Sequence, residues 1–96
     1  MPTYVSLIRA TQKGAEALRE LGKRYDDTKK AAEKAGGKIL SAYALFGRFD
    51  YLVVWEFPSE KEAARVLAQA ATRGTASFET LTAMPLGDFI KIAQEV

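Results

Sequence analysis

The chain has 96 residues, of which 48% are apolar and 27% charged, and its formal net charge at pH 7 is +2. A chain of this length supports one hydrophobic core, so we expect a single domain over residues 1–96. It contains no cysteine and no histidine, which excludes disulfides, thiolate nucleophiles, imidazole bases and Cys/His metal sites. We therefore expect neither a metal site nor a cofactor.

The chain shows no sign of a membrane or nucleic-acid protein. Its longest uninterrupted apolar run, residues 51–55, is far shorter than the roughly 20 residues of a membrane span, and its start does not resemble a secretory signal. A soluble, cytoplasmic protein is expected, which the absence of cysteine fits. Basic residues outnumber acids between Arg9 and Lys38, but the small net charge does not favour nucleic acid as a partner.

The first element is a strand over residues 3–9, which is rich in β-branched and aromatic side chains. Thr11 is suited to cap a helix of about six turns that ends at Gly36 and Gly37. Small or apolar residues recur at steps of three and four and define its buried stripe: Gly14, Leu18, Leu21, Tyr25, Thr28, Ala32 and Ala35. Glycine disfavours helix, so we expect a kink or short break near Leu21, Gly22 and Lys23.

Two further strands follow, over residues 38–46 and 51–57, and the short connection 47–50 suits an antiparallel hairpin. Alternation in the earlier strand divides its residues between two faces, with Ile39, Ser41, Tyr43 and Leu45 on one and Leu40, Ala42, Ala44 and Phe46 on the other. Alternation in the later strand places Tyr51, Val53, Trp55 and Phe57 opposite Leu52 and Val54.

A second helix begins after Pro58, where Ser59 and Glu62 form a capping box. Its buried stripe consists of Ala63, Val66, Leu67 and Ala70. A threonine-rich fourth strand is predicted over residues 75–84. A short amphipathic helix then follows Pro85, with Phe89, Ile90, Ala93 and Val96 on one face.

Strand, helix, hairpin, helix and strand in this order predict an α+β, ferredoxin-like β-α-β-β-α-β fold, with a four-stranded antiparallel sheet and a short C-terminal helix. Both long helices then cover one face of the sheet. Each strand is apolar on both faces, which is unusual for a sheet with one wet face. We therefore expect two chains to stack their open faces as a dimeric α/β barrel, in a homodimer or a higher even-numbered oligomer, with Trp55 at the seam.

The chain resembles the GYD domain family, which belongs to the dimeric α/β-barrel superfamily. The resemblance rests on residues 4–9 with Thr11 and Gly14, the helix exit at 35–38, residues 79–82, and the turn at 47–51. That turn corresponds to the signature of glycine, aromatic residue and aspartate for which the family is named. Here Phe49 stands where tyrosine is usual, and Arg48 lies between the glycine and the aromatic residue. The resemblance implies the ferredoxin-like fold and pairing of chains.

Charged candidates for a site lie in the turn and at the end of the first strand. Asp50 beside Arg48 suits a general base or a ligand anchor, whereas a turn carboxylate that binds nearby backbone is the simpler interpretation. Arg9 is suited to bind a carboxylate or phosphate together with Lys13 and Arg48. The competing interpretation is that Arg9 pairs with Asp50 or Glu79.

Tyr4, Tyr43 and Trp55 are aromatic candidates, since a hydroxyl or indole donor in an apolar cleft orients a small ligand. The competing interpretation places them in the core or at an interface between chains.

Two functions remain open. In the leading hypothesis, the chain is a non-catalytic oligomeric or structural module that binds a small, partly apolar, anionic ligand, with Arg9 or Arg48 orienting it. In the alternative, it is a cofactor-free enzyme, isomerase-like or oxygenase-like, acting on a small aromatic or carbonyl substrate. Asp50, Tyr4 or Tyr43 would then move a proton. A cavity that encloses Asp50 or Glu56 would favour the enzyme, and a filled interior would favour the module.

Overall fold

The sheet and helices follow the order that the sequence predicts, in a computed structural model that describes all residues from 1 to 96. In chain order the elements are β1 (Thr3–Ala10), α1 (Gln12–Glu16), α2 (Leu21–Lys34), β2 (Lys38–Ala44), β3 (Tyr51–Glu56), α3 (Glu60–Ala71), β4 (Ala76–Ala83) and α4 (Leu86–Gln94). The sheet order is β2-β3-β1-β4, and all neighbouring strands are antiparallel. The ferredoxin-like α+β fold is confirmed. None of the helices is both long and apolar enough to cross a membrane.

The core lies between the sheet and the helices α2 and α3. Side chains alternate across the sheet, so every second residue of β1 and β3 is buried on this side. The members of this core are Tyr4, Ile8, Ala32, Val53, Trp55, Phe57, Ala63 and Val66. Trp55 is 1% exposed, so its placement at a seam between chains is wrong. The hydrophobic side chain of Trp55 packs under the helices, against Phe57 at 5.1 Å between ring centroids.

The predicted ends of the helices are confirmed. The Thr11 side chain accepts a hydrogen bond from the Gly14 backbone N–H, and the Ser59 side chain accepts one from the Glu62 N–H. Gly36 has a φ of 83°, the left-handed conformation that ends a helix most readily when the residue is glycine.

The first helical region is interrupted, as expected, although not at Gly22 itself. It breaks earlier, at Ala17, and a single 3-10 turn over Leu18–Glu20 leads into α2. Gly14 holds α1 against the sheet, because a Cβ at Gly14 would clash with the Thr75 carbonyl oxygen. At the break the Ala17 carbonyl accepts hydrogen bonds from the Glu20 backbone N–H and, at 2.7 Å, from Nη1 of Arg24. The break redirects the chain, and Leu18 of the predicted stripe is exposed.

The predicted alternation in β2 is wrong beyond Ile39. A bulge between Ile39 and Ser41 places one extra residue opposite β3, and it shifts the later residues to the other face. Ile39 pairs with Trp55 and Ala42 pairs with Val53, so both belong to the helix side. The strand also ends at Ala44 rather than at residue 46.

The other side of the sheet has no helix over it. Its central residues are apolar and belong to three neighbouring strands: Val5, Leu7, Val54 and Leu81. We call this set the outer face. α4 is uncovered as well, since all nine of its residues are exposed, including Phe89 and Ile90. The chain therefore presents two apolar surfaces that it does not bury itself.

Candidate functional site

A cavity of about 390 Å³ lies between α2 and the helix side of the sheet. We call it the α2 cavity. Its lining is mostly apolar and comes from α2, from all four strands and from the end of α3. The lining includes Gly22, Arg24, Tyr25, Thr28, Tyr43, Tyr51, Trp55, Arg73 and Phe78. Its volume lies in the range of pockets that hold small molecules.

The cavity exists because α2 does not pack closely on the sheet along its whole length. Within α2 only Ala32, near its C-terminal end, is fully buried. Tyr25, two turns earlier, is 39% exposed, although it lies on the stripe that the sequence predicts to be buried. Leu21, Gly22 and Tyr25 from the N-terminal half of α2 line this space, and Gly22 has no side chain to fill it.

Arg24 and Arg73 are the charged residues of the lining, and no Asp or Glu side chain contributes to it. Nη2 of Arg73 donates a hydrogen bond to Oγ1 of Thr28 at 3.0 Å, and its Nη1 donates to the Arg24 carbonyl oxygen at 3.4 Å. Neither arginine forms an ion pair within the chain, whose two pairs are Lys23–Asp27 and Glu62–Arg65. The cavity is therefore apolar with a positive edge.

Trp55 forms part of the cavity wall and is held by a buried hydrogen-bond chain. Its Nε1 donates to Oγ of Ser6 at 3.1 Å, and Ser6 Oγ shares a hydrogen bond of 2.8 Å with Oγ1 of Thr80. Ser6 has no exposed surface. Because the indole N–H is satisfied on the sheet side and the side chain is buried, Trp55 borders the cavity from within the core and offers it no free donor.

The aromatic candidates are divided between the cavity and the core. Tyr43 and Trp55 belong to the cavity lining. Tyr4 is buried in the core, with its ring centroid 6.0 Å from that of Phe57, and it does not line the cavity. Tyr43 pairs with Leu52, which pairs with Leu7 of the outer face, so its side chain lies on the side of the sheet opposite Trp55. The structure therefore does not gather the three aromatic candidates at one site.

Arg9 and Arg48 lie away from the α2 cavity, at the β2–β3 hairpin. Nε of Arg9 donates to the Arg48 carbonyl oxygen at 2.8 Å. Both guanidinium groups lie over the Phe49 ring, with Cζ at 5.0 Å from the ring centroid for Arg9 and 5.3 Å for Arg48. Lys13 does not join them, because its Nζ donates to the Arg73 carbonyl oxygen.

Asp50 makes the hydrogen bond that the turn interpretation predicts. Its Oδ2 accepts from the Ala10 backbone N–H at 2.8 Å, its own N–H donates to the Ile8 carbonyl, and its carbonyl accepts from Leu45. These bonds fasten the hairpin to the end of β1. Asp50 and Glu56 both lie outside the cavity lining, so no cavity encloses either carboxylate as the enzyme hypothesis requires, and the interior is not filled as the module hypothesis expects.

A second, shallower groove lies between α2 and α3, lined by Lys30, Lys34 and Arg73 among others. At its edge the hydrogen bond from Lys23 lowers the pKa of the Asp27 carboxyl below its usual value of 3.8. No three His, Cys, Asp or Glu side chains cluster as they would around a metal ion.

The sequence alone did not identify Arg24, Arg73 or Tyr51 as site residues. Arg24 and Arg73 follow no spacing that sets them apart from the other basic residues of the helices, and Tyr51 was assigned to an apolar strand face. They come together because the break at Ala17 and the end of α3 meet at one edge of the cavity.

Comparison with known proteins identifies relatives across almost the whole chain. The model of the GYD domain family matches residues 4–93. A Thermus thermophilus protein named glutamine synthetase and cystathionine beta-lyase binding protein is 32% identical over 91 residues, which cover 94% of this chain and 96% of that protein.

Solved structures share the fold at lower sequence identity. FFRP-DM1 superposes with a TM-score of 0.60 at 16% identity, over 88% of this chain and 100% of that chain. A Thermus thermophilus protein of known structure has a TM-score of 0.54 at 21% identity, over 88% of this chain and 95% of that chain.

Proposed function

Because the chain belongs to the GYD domain family, we propose that it is a non-catalytic, oligomeric binding protein. In this proposal the α2 cavity takes a small, largely apolar molecule that carries an anionic group. The observation that carries the proposal is the lining of that cavity, in which the charged residues are Arg24 and Arg73.

The arrangement suits a ligand of mixed character. Ring surface from the half-buried Tyr51 and Phe78 offers contact to an apolar body, and guanidinium groups bind carboxylate or phosphate through paired donors. Arg73 keeps free N–H groups after its bonds to Thr28 and Arg24. A cationic edge beside an apolar cavity favours an anion with an apolar tail over a neutral or cationic molecule.

Binding is favoured over catalysis because the lining has no carboxylate to accept a proton. The enzyme hypothesis relied on Asp50, Tyr4 or Tyr43. Asp50 and Tyr4 do not line the cavity, and Tyr43 pairs with Leu52, which pairs with Leu7 of the outer face, so the Tyr43 side chain lies on the other side of the sheet. Asp50 is engaged with backbone at Ala10, and Tyr4 is a core residue.

The oligomeric part of the proposal is supported by the amount of exposed surface. The chain exposes 6659 Å² at a mass of 10.5 kDa, against about 5,400 Å² for a compact monomer of that mass. The excess, on the order of 1,200 Å², exceeds the roughly 800 Å² that each partner contributes to a standard interface. Its radius of gyration of 14.6 Å is likewise larger than the about 12.5 Å of a compact domain.

A second copy of the chain is the occupant that fits this surface. The outer face is apolar in its centre, and α4 adds Phe89 and Ile90, both about half exposed. A helix of nine residues is marginal in water without a partner. Stacked outer faces together with α4 would bury both surfaces at once.

A protein partner is a further part of the proposal. The Thermus relative is named for binding two metabolic enzymes, and this supports the same kind of partner for the present chain. Binding to purified glutamine synthetase of the same host, measured by biolayer interferometry, tests this part.

The cavity is tested with a pair of fluorescent probes, anilinonaphthalene sulfonate and its uncharged analogue phenylnaphthylamine. Trp55 is the chain's one tryptophan and borders the cavity, so we expect bound probe to quench its emission. The sulfonate should bind more tightly than the neutral probe. Arg24→Gln and Arg73→Gln should each lower the affinity for the sulfonate probe about tenfold and leave the affinity for the neutral probe unchanged.

Arg65→Gln is the matched control, because it removes the same charge from the exposed surface of α3. Equal affinities for the two probes, or sulfonate binding that neither cavity variant weakens, would refute the anionic specificity. Native mass spectrometry of protein purified from its host then reports the mass of any ligand that co-purifies.

The dimer is tested by introducing a charged side chain into the outer face. Leu7→Glu and Leu81→Glu should convert the native oligomer to monomer in sedimentation equilibrium, because each buries a carboxylate in an apolar interface. Ala68→Glu on the exposed side of α3 is the control and should leave the mass unchanged. Far-UV circular dichroism checks that the variants fold, and a wild-type protein that sediments as a monomer would disprove the dimer.

A further inference from the structure

We propose that the tip of the β2–β3 hairpin is a docking site for a partner protein that presents carboxylates beside an apolar contact. The site consists of Arg9, Phe46, Arg48 and Phe49, which we call the hairpin patch. The proposal rests on the proposed function only in requiring a protein partner, and it does not depend on the α2 cavity.

The two guanidinium groups of the hairpin patch are held in place before any partner arrives. Arg9 is fixed by its hydrogen bond to the Arg48 carbonyl, and both groups lie over the Phe49 ring. Ordering a long side chain is one of the costs of association, and groups that are already ordered avoid part of it. A fixed pair of guanidiniums is therefore suited to bind carboxylates.

The positive charge of the hairpin patch has no counter-charge in the chain. Neither Arg9 nor Arg48 belongs to an ion pair. Asp50, which follows Phe49 directly, accepts from the Ala10 N–H with its Oδ2. The Arg48 guanidinium makes no hydrogen bond within the chain, and Arg9 donates only through Nε, so most of the ten N–H donors of two arginines are free.

Phe46 supplies an apolar contact next to these charges. It is 100% exposed and lies in the hairpin loop, two residues before Arg48. Aromatic residues and arginine are the types enriched where proteins bind one another most strongly. A fully exposed phenylalanine in a loop contributes nothing to the core, and it gains most from burial against a partner.

Phe46 is also what favours a protein over other anionic partners. A free anion would use the arginines and leave Phe46 in water. Nucleic acid binding generally needs a longer stripe of cations than the two present here. An acidic protein segment with an apolar side chain engages all four residues of the hairpin patch.

Site-specific photo-cross-linking in the host cell tests this proposal with the full-length protein. Phe46→p-benzoylphenylalanine keeps an aromatic group at the tip, and the same cross-linker at Ala68 on the exposed side of α3 is the control. We expect a cross-linked partner whose peptide, mapped by mass spectrometry, is rich in Asp and Glu. Arg9→Glu and Arg48→Glu in the cross-linking chain should each lower the yield about tenfold.

Each other outcome of this experiment counts against the proposal. It is overturned by a yield no higher than at Ala68, by a yield insensitive to both charge reversals, by cross-links to nucleic acid, or by cross-links to a second copy of the chain. The charge-reversal variants should keep wild-type affinity for anilinonaphthalene sulfonate, which shows that they fold. Loss of sulfonate binding in Arg24→Gln with normal cross-linking at Phe46 separates the cavity from the hairpin patch.

Discussion

The Asp50 carboxylate accepts a hydrogen bond from the Ala10 backbone N–H at 2.8 Å, and this contact joins the β2–β3 hairpin to the end of β1. A charged acceptor on a half-buried backbone donor is stronger than a neutral one. The two residues are 40 positions apart. The aspartate of the signature turn therefore has a role in the fold that requires neither ligand nor substrate.

Replacing this carboxylate should cost stability. We expect Asp50→Ala to lower the free energy of unfolding by about 1.5–3 kcal/mol, since the Ala10 N–H loses its acceptor. Asp50→Asn keeps an acceptor oxygen and should cost less. Urea denaturation measures both, with Asp26→Ala on the exposed side of α2 as control. Equal losses of unfolding free energy in Asp50→Ala and Asp26→Ala would contradict the hydrogen bond between Asp50 and Ala10.

The buried hydroxyl beneath Trp55 should matter more than its size suggests. Ser6→Ala leaves the Trp55 indole N–H without an acceptor in the core, so we expect a loss of about 1–3 kcal/mol. Ser77→Ala, on the exposed opposite side of the sheet, should change the unfolding free energy by less than about 0.5 kcal/mol.

A double-mutant cycle checks that the two groups act together. Ser6→Ala combined with Trp55→Phe should cost less than the sum of the single changes, since the orphaned donor is removed. Additive losses would mean that the hydrogen bond contributes nothing. Because Trp55 is buried under the helices, Trp55→Phe should leave the mass of the oligomer unchanged.

Two glycines in the first helical region should respond in opposite directions to the same substitution. Gly14→Ala places a Cβ against the Thr75 backbone carbonyl, and the forced shift should cost about 3 kcal/mol. At Gly22 a Cβ meets nothing within 4 Å. Gly22→Ala should therefore raise the free energy of unfolding by roughly 0.5–1 kcal/mol. Thermal unfolding of the two variants measures both effects. A loss of stability in Gly22→Ala equal to that in Gly14→Ala would disprove the close contact at Thr75.

The ionisation of Asp27 should depend on its neighbour one turn earlier. Its pKa is lowered first by the hydrogen bond from Lys23 and further by nearby cations. A folded pKa below the unfolded value stabilises the fold above the unfolded pKa of about 3.8, and this contribution is lost as the pH falls through the folded pKa. NMR titration should show the pKa of Asp27 rising in Lys23→Ala and unchanged in Lys61→Ala. No rise in Lys23→Ala would show that the pair does not form in solution.

Local patterns were enough to predict the elements and their ends. Side-chain oxygens at Thr11 and Ser59 satisfy free N–H groups within a single turn, and Gly36 adopts a conformation that costs other residues energy. These effects act between residues close in sequence. The order of the elements then left few arrangements of the sheet, and the ferredoxin-like topology followed from it.

Tertiary packing decided the rest. The bulge beyond Ile39 placed the later residues of β2 on the faces opposite to those predicted from Ile39, and the first helical region is interrupted at Ala17 rather than at Gly22. Trp55 is a core residue because the helices cover the side of the sheet on which its side chain lies. The α2 cavity, with Arg24 and Arg73 at its edge, exists only where that broken helix stands away from the sheet. The sequence by itself thus determined the elements and their order, whereas the faces and the cavity depend on contacts between residues far apart in the chain, whose geometry no local pattern encodes.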